Sequence, residues 1–164
     1  MRQMNKKPVP YVVRLFRDID LVSLYRMIQE TIDASYSGGY PDRAIQFFKE
    51  YHSQKKIMER SQAGEILVIE RDGSIVATGA LVGNEILGVF VKPEDQGQGY
   101  GKTIMSELES RAKAKGISEV ILSVSLPSRK FYEHLEYEML AENSFDVGEG
   151  QHLAYWPGRK TLTS

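Results

Sequence analysis

The spacing of apolar and polar positions changes along the chain, and each change marks an element. Val9, Tyr11, Val12, Val13, Leu15 and Phe16 make a β-prone run ahead of Asp18 and Asp20, which predicts a first strand. Leu21, Leu24, Tyr25, Ile28 and Ile32 then recur at three- and four-residue intervals, one face of a helix capped by Asp18 or Asp20 and ended before Ser37-Gly38-Gly39. Pro41 suits the first turn of a second helix, whose Ala44, Phe47, Phe48 and Tyr51 share a face, and a further helical stretch reaches Gln62. After Gly64 the pattern becomes that of strands. Ile66 to Ile69 and Ile75 to Ala77 flank Asp72-Gly73, a strong hairpin signal, and Gly83-Asn84 fits a type II′ turn into a third strand over 85–92.

That third strand is apolar on both faces, so helices must cover both sides of the sheet. Gly88 inside it predicts a bulge or a close approach to the backbone. Gln96-Gly97-Gln98-Gly99-Tyr100-Gly101 follows, and Ile104, Met105, Leu108 and Ala112 then trace a helical stripe that stops near Gly116. Val120 to Val124 reads as a buried strand, completing a strand–loop–helix–strand unit. A short helix over 128–135 and final strands over 137–140 and 151–156 are expected, the last two around a polar, glycine-containing loop.

Composition narrows the classes. A chain of 164 residues with 41% hydrophobic and 26% charged positions matches an ordinary folded protein, and with no repeat or linker it reads as one domain, 1–164. The net charge of −1 gives no broad attraction to nucleic acid or to a membrane. The absence of cysteine excludes thiolate metal sites, disulfide frameworks and cysteine nucleophiles, and no metal site is expected. Neither a signal-peptide core nor a run of apolar residues long enough to span a membrane is present, so the cytoplasm is the expected location.

The chemistry centres on the glycine loop. Such a loop between a buried strand and a helix brings backbone N–H groups and about half a positive charge toward a phosphate, and Lys102 adds a full one. Two specific patterns fail. The P-loop needs a glycine where Gln96 stands, and the third glycine of a dinucleotide fingerprint would fall on Lys102. What fits is Gln-x-x-Gly-x-Gly from Gln96, with Pro93 before it and Phe131-Tyr132-Glu133-His134-Leu135 after the next strand. On these motifs the chain resembles the GCN5-related N-acetyltransferase (GNAT) family along essentially its whole length, most specifically over 85–137.

The resemblance implies an α/β fold: a mostly antiparallel sheet with one parallel pair, its fourth and fifth strands, and helices on both faces. It also implies an N-acetyltransferase that moves an acetyl group from acetyl-CoA to a primary amine by direct attack in a ternary complex. Position by position, it puts the coenzyme pyrophosphate on the backbone N–H groups of Gln98, Gly99, Tyr100, Gly101 and Lys102, counts Gln96 and Gly97 in the same coenzyme-binding loop, and sets the pantetheine arm along Phe90 and Val91. Ser125 stands where many members bond that arm through Asn, Ser128 where Ala is usual, and Arg129 within reach of a coenzyme phosphate. Glu136 replaces the usual Gly of the turn after the short helix. Because an alkyl ammonium has a pKa of about 10.4, transfer requires a base or proton wire. Glu85, eleven positions before Gln96, matches the family's base position. Tyr132 matches its donor to the departing thiolate, and the Val91 N–H suits the oxyanion.

Other residues carry weaker expectations. His52, His134 and His152 read as surface residues, and both Ser-x-x-Lys matches, at Ser53 and Ser110, read as chance. Tyr36, Tyr40 and Phe47 are candidates for acceptor contacts, and Asp146 and Glu149 for attracting a cationic amine. The partners expected are a small-molecule or peptide amine, with no nucleic acid and no membrane, and a homodimer is compatible. Two alternatives remain at this point: a non-catalytic acyl-CoA-sensing or protein-binding module on the same fold, and, less favoured, a nucleoside triphosphate binder using Gly101-Lys102-Thr103.

Overall fold

The computed structural model describes residues 9–163. One mixed sheet organises them. Strands β1 (Tyr11–Leu15), β2 (Glu65–Arg71), β3 (Ser74–Val82) and β4 (Glu85–Val91) form an antiparallel run; β5 (Glu119–Val124) lies parallel to β4. The long strand β8 (Gln151–Thr161) continues the sheet antiparallel to β5 and carries β6 (Glu138–Met139) on its outer side. Helices α1 (Leu21–Tyr36), α2 (Asp42–Tyr51) and α3 (Gln54–Ala63) pack on one face, α4 (Tyr100–Ala114) and α5 (Arg129–His134) on the other. Two apolar cores result, and β4 serves both: Ile86 is buried toward α4 and Phe90 toward α1.

The turns obey the local chemistry. Asp72 and Gly73 both have positive φ, 50° and 76°, the requirement of a type I′ hairpin, whereas at the next turn Gly83 has φ 59° and Asn84 does not join it. Gly116, φ 78°, closes α4 as the amides of Gly116 and Ile117 return to its last carbonyls. Asp20 does not cap α1 through its side chain. Its carboxylate accepts from the Arg17 N–H at 2.8 Å and from the Arg14 guanidinium at 2.8 and 2.9 Å, fixing the turn that leads into the helix.

One expectation requires correction. The segment expected as a polar loop forms strand β7 (Asn143–Gly148), which hairpins onto the first half of β8 through Glu149 and Gly150, with φ 55° and 71°. β8 therefore runs to Thr161 and changes partner from β7 to β5 between Tyr155 and Trp156, next to Pro157, which has no N–H to give a ladder.

Candidate active site

The site begins where two strands separate. β4 and β5 pair at Glu85 and Ile121, and beyond that point no further pairing joins them among the described residues. β4 contains the anticipated bulge: Gly88 and Val89 face the single residue Gly79 of β3, and Gly88 takes φ 63°. The bulge turns the second half of β4 away from β5 and leaves a slot between them.

A cleft of about 540 Å³ occupies one side of the slot, lined by Val91, Gln96, Gly97, Gly99, Gly101 and Lys102 among others. Gly97 and Gly99 have φ 80° and 88°, a backbone that only glycine adopts without strain, and a Cβ on either would meet nothing within 4 Å. From Gly97 to Lys102 the amides donate to no backbone carbonyl among the described residues, and no side chain caps α4. A run of free N–H groups at the positive end of a 15-residue helix, with an exposed lysine beside it, is a cradle for a polyanion. Its base is fastened: Asp95, buried just before the loop, accepts from Arg71 at 2.6 Å, and the same guanidinium donates to the Tyr100 hydroxyl at 3.1 Å.

A second cavity, about 260 Å³, lies on the other side, bounded by Glu85, Gly88, Ser123, Ser125 and a set of aromatic rings. The two cavities share Tyr36, Val89, Phe90, Ser128 and Tyr132. Tyr132 is buried, and desolvation, with Tyr36 nearby, pushes its phenol pKa well above 10, so it stays protonated; the hydroxyl makes no hydrogen bond among the described residues. Glu85, half-buried, makes no ion pair there.

The structure thus brings together Glu85, Phe90, Val91, Tyr132, Ser125, Ser128 and most of the glycine loop. Gln98 is exposed at the loop tip and does not line the cleft. Gln96 clasps the end of β4, donating to the Val91 carbonyl at 3.0 Å. Ser125 and Ser128 bond each other at 2.8 Å. Arg129 lies outside both cavities, its guanidinium paired with Glu133 at 2.5 Å and set over the Trp156 ring at 4.4 Å. Tyr40 is also outside: its hydroxyl donates to the Ala154 carbonyl at 2.9 Å and accepts from the Leu126 N–H at 2.8 Å, tying the α1–α2 corner to β8. Asp146 and Glu149 lie off the cavity as well, Asp146 accepting from the Gly148 N–H at 2.7 Å.

His52 is not on the surface. It is 5% exposed, lines the second cavity and is held edge-on between Tyr51 and Phe90. Its Nδ1 accepts from Arg60 at 3.0 Å, and burial, reinforced by that cation, lowers its pKa to about 3. No periodicity marks this residue, because it sits in the break between α2 and α3. Phe145 and Tyr155, which also line the cavity, were legible in principle: Phe145 and Val147 alternate with polar residues ahead of Glu149-Gly150.

A mixed sheet split between parallel strands thus carries an anion cradle at the mouth of the split. The chain belongs to the GNAT acetyltransferase family, whose acetyltransferase (GNAT) domain model matches residues 36–153. A GCN5-related N-acetyltransferase from Rhodopseudomonas palustris shares the fold with TM-score 0.85 at 19% identity, covering 96% of this chain and 100% of that one. PaiA N-acetyltransferase from Thermoplasma acidophilum, solved with coenzyme A, gives TM-score 0.72 at 23% identity over 93% and 99% of the two chains. YncA from Salmonella typhimurium, solved with its cofactor acetyl-CoA, gives 0.67 at 16% identity over 94% and 95%. Curated proteins give no significant sequence match. No helix among the described residues is long and apolar enough to cross a membrane.

Proposed function

We propose that the protein transfers an acetyl group from acetyl-CoA to a primary amine by direct attack in a ternary complex. The observation that carries this reading is the meeting of two cavities at Tyr132: a free-amide cradle on one side, an uncommitted carboxylate on the other. The coenzyme complexes of the PaiA and YncA structures support the choice of cosubstrate. The residues fit it, with the amides from Gly97 to Lys102 for the pyrophosphate and the unpaired edge of β4 near Phe90 for the pantetheine arm. Acetyl-CoA supplies an acyl group activated as a thioester.

The protein's own groups handle the protons. At pH 7 fewer than about one alkylamine in a thousand is neutral, so Glu85 takes the proton from the attacking nitrogen, directly or through water. Tyr132, kept protonated by burial, passes its O–H proton to the departing sulfur and is reprotonated by the second proton that the nitrogen loses as the intermediate collapses to the amide. Phe90 and Val89 stand in the wall between the two cavities. The Thr103 hydroxyl donates to the Gly99 carbonyl at 3.1 Å, the back-bond to residue i−4 that helical threonines often make.

The test is thiol release from acetyl-CoA across a panel of amines, with calorimetric binding of acetyl-CoA measured in parallel. Glu85→Gln should lower kcat by about two orders of magnitude while leaving acetyl-CoA affinity unchanged. Wild-type binding without release for any amine, or an E85Q variant as fast as wild type, would favour a sensing module or another base.

A further inference from the structure

The second cavity holds a polar group that the acetyl-transfer scheme does not use. Behind the cavity wall Arg60, 8% exposed, makes no ion pair among the described residues, although the Glu85 carboxylate is near enough to favour its charge; it donates to His52 Nδ1 at 3.0 Å and to the Tyr51 carbonyl at 3.0 Å, with its guanidinium 5.4 Å from the Tyr51 ring centre. An arginine remains protonated and only donates, so Nδ1 must be the acceptor and the imidazole proton must reside on Nε2. The His52 Nε2–H therefore has a fixed tautomer. It makes no hydrogen bond among the described residues, and its ring belongs to the cavity wall. Gly88 makes room for the pair: a Cβ there would come within 3.0 Å of Arg60 Nη1 and 3.8 Å of His52 Cε1.

The wall around this donor is rich in aromatic rings, Phe47, Phe48, Tyr51, Phe145 and Tyr155, and carries polar groups at Glu85, Ser123 and Ser125. The donor opens onto the cavity, where an oxygen of a bound ligand can take the place of water as its acceptor. Glu85 stands three residues before Gly88 on the same strand, roughly 10 Å along it. A molecule filling the cavity can thus present its amine toward Glu85 and an oxygen toward His52.

We infer that His52, oriented by Arg60, is a specificity-determining donor that selects amines with an aromatic or bulky apolar body and a nearby hydrogen-bond-accepting oxygen, a carboxylate or a carboxamide. This rests on the second cavity being the acceptor site, as in the proposed function. The positive guanidinium behind the imidazole strengthens the donor and favours such an oxygen over a second ammonium group, so a simple polyamine is disfavoured. Arg60 is a positioning residue: it sets the tautomer and touches no substrate.

The experiment compares three matched ligands: phenylalaninamide, phenylalanine and phenethylamine. Their binding to the protein saturated with CoA is measured by calorimetry, and their acetylation with acetyl-CoA separately. An oxygen-bearing ligand should bind about five- to tenfold tighter than phenethylamine, one hydrogen bond's worth, and comparison of the amide with the acid identifies which oxygen is read. His52→Phe should bring the oxygen-bearing ligands to parity with phenethylamine through a higher KM, with CoA affinity unchanged. His52→Gln, whose amide can both accept from Arg60 and donate to the ligand, should restore the preference. If H52F leaves Arg60 orphaned and unfolds the protein, the H52F/R60M pair removes the buried cation and reads the same parity. Equal binding of all three ligands, no binding of any, or a preference unchanged in H52F overturns the inference. Selective binding without turnover sustains it while the acetyl-transfer reading falls.

Discussion

Two buried tyrosines close to the junction of the cavities do opposite work. The Tyr40 hydroxyl is fully committed, donating to Ala154 and accepting from Leu126, while that of Tyr132 makes no hydrogen bond among the described residues. Tyr40→Phe should therefore cost about 1–3 kcal/mol in denaturant unfolding, because the Leu126 N–H is left without its partner. Tyr132→Phe should leave stability unchanged or slightly raised and lower kcat by about two orders of magnitude. A loss of stability in Y132F as large as in Y40F would show the hydroxyl to be structural. The sequence distinguishes these residues only in part. Tyr132 is placed by its motif, and so is Glu85 by its distance from Gln96, since strand, loop and helix lengths fix where the motif residues fall. Tyr40 and Arg129 are placed by partners remote in sequence, Ala154 and Trp156, which no local pattern reveals. His52 is hidden for the same reason: its burial depends on a bulge thirty-six residues further along, at Gly88.

At the scale of elements, α4 links packing to the coenzyme cradle. Gly79 of β3 sits beneath it, where a Cβ would lie 2.5 Å from Ile104 Cγ2 and 3.0 Å from Leu108 Cδ1. Gly79→Ala must push the helix off the sheet, costing about 1–3 kcal/mol, and because the cradle amides open this same helix, acetyl-CoA affinity should fall along with the melting temperature. Gly99→Ala separates the two effects. The added methyl meets nothing, so the change acts through the left-handed backbone at φ 88°, and acetyl-CoA affinity should drop at least tenfold while the core stays packed. An unchanged Kd in G99A would remove the loop from the binding site. The hairpins were legible in the sequence because Asp72-Gly73 and Gly83-Asn84 carry their turn geometry in their residue types. The β7 arm of the last hairpin reads as a loop in the sequence because Asn143, Ser144 and Asp146 are polar. Its strand character comes from pairing with β8 and from the one apolar side turned to the cavity.

On the scale of the whole molecule, the sheet keeps α1–α3 and α4–α5 on separate cores, and the slot between β4 and β5 is where neither core closes over the strands. The proposed function is placed at that seam, and the His52–Arg60 pair is buried beside it at an energetic cost that pH exposes. In the unfolded chain His52 titrates at about 6.5. In the fold burial, and then the charge of Arg60, hold it down to about 3, so between these values the unfolded chain binds a proton that the folded protein refuses. Stability must fall as pH drops below 6.5, by about 1.4 kcal/mol per unit and about 2 kcal/mol by pH 5. The Arg14–Asp20 pair has a different window. The guanidinium lowers the Asp20 pKa, so its contribution is complete above the ordinary carboxylate value of about 3.9 and disappears only at lower pH. Urea unfolding at pH 5 and pH 7 should therefore isolate the imidazole, and His52→Gln, which keeps an acceptor for Arg60 but cannot titrate, should reduce the difference between the two by most of that amount. An H52Q variant as acid-sensitive as wild type would place the titrating group elsewhere and remove the claim that burial and Arg60 hold this ring neutral.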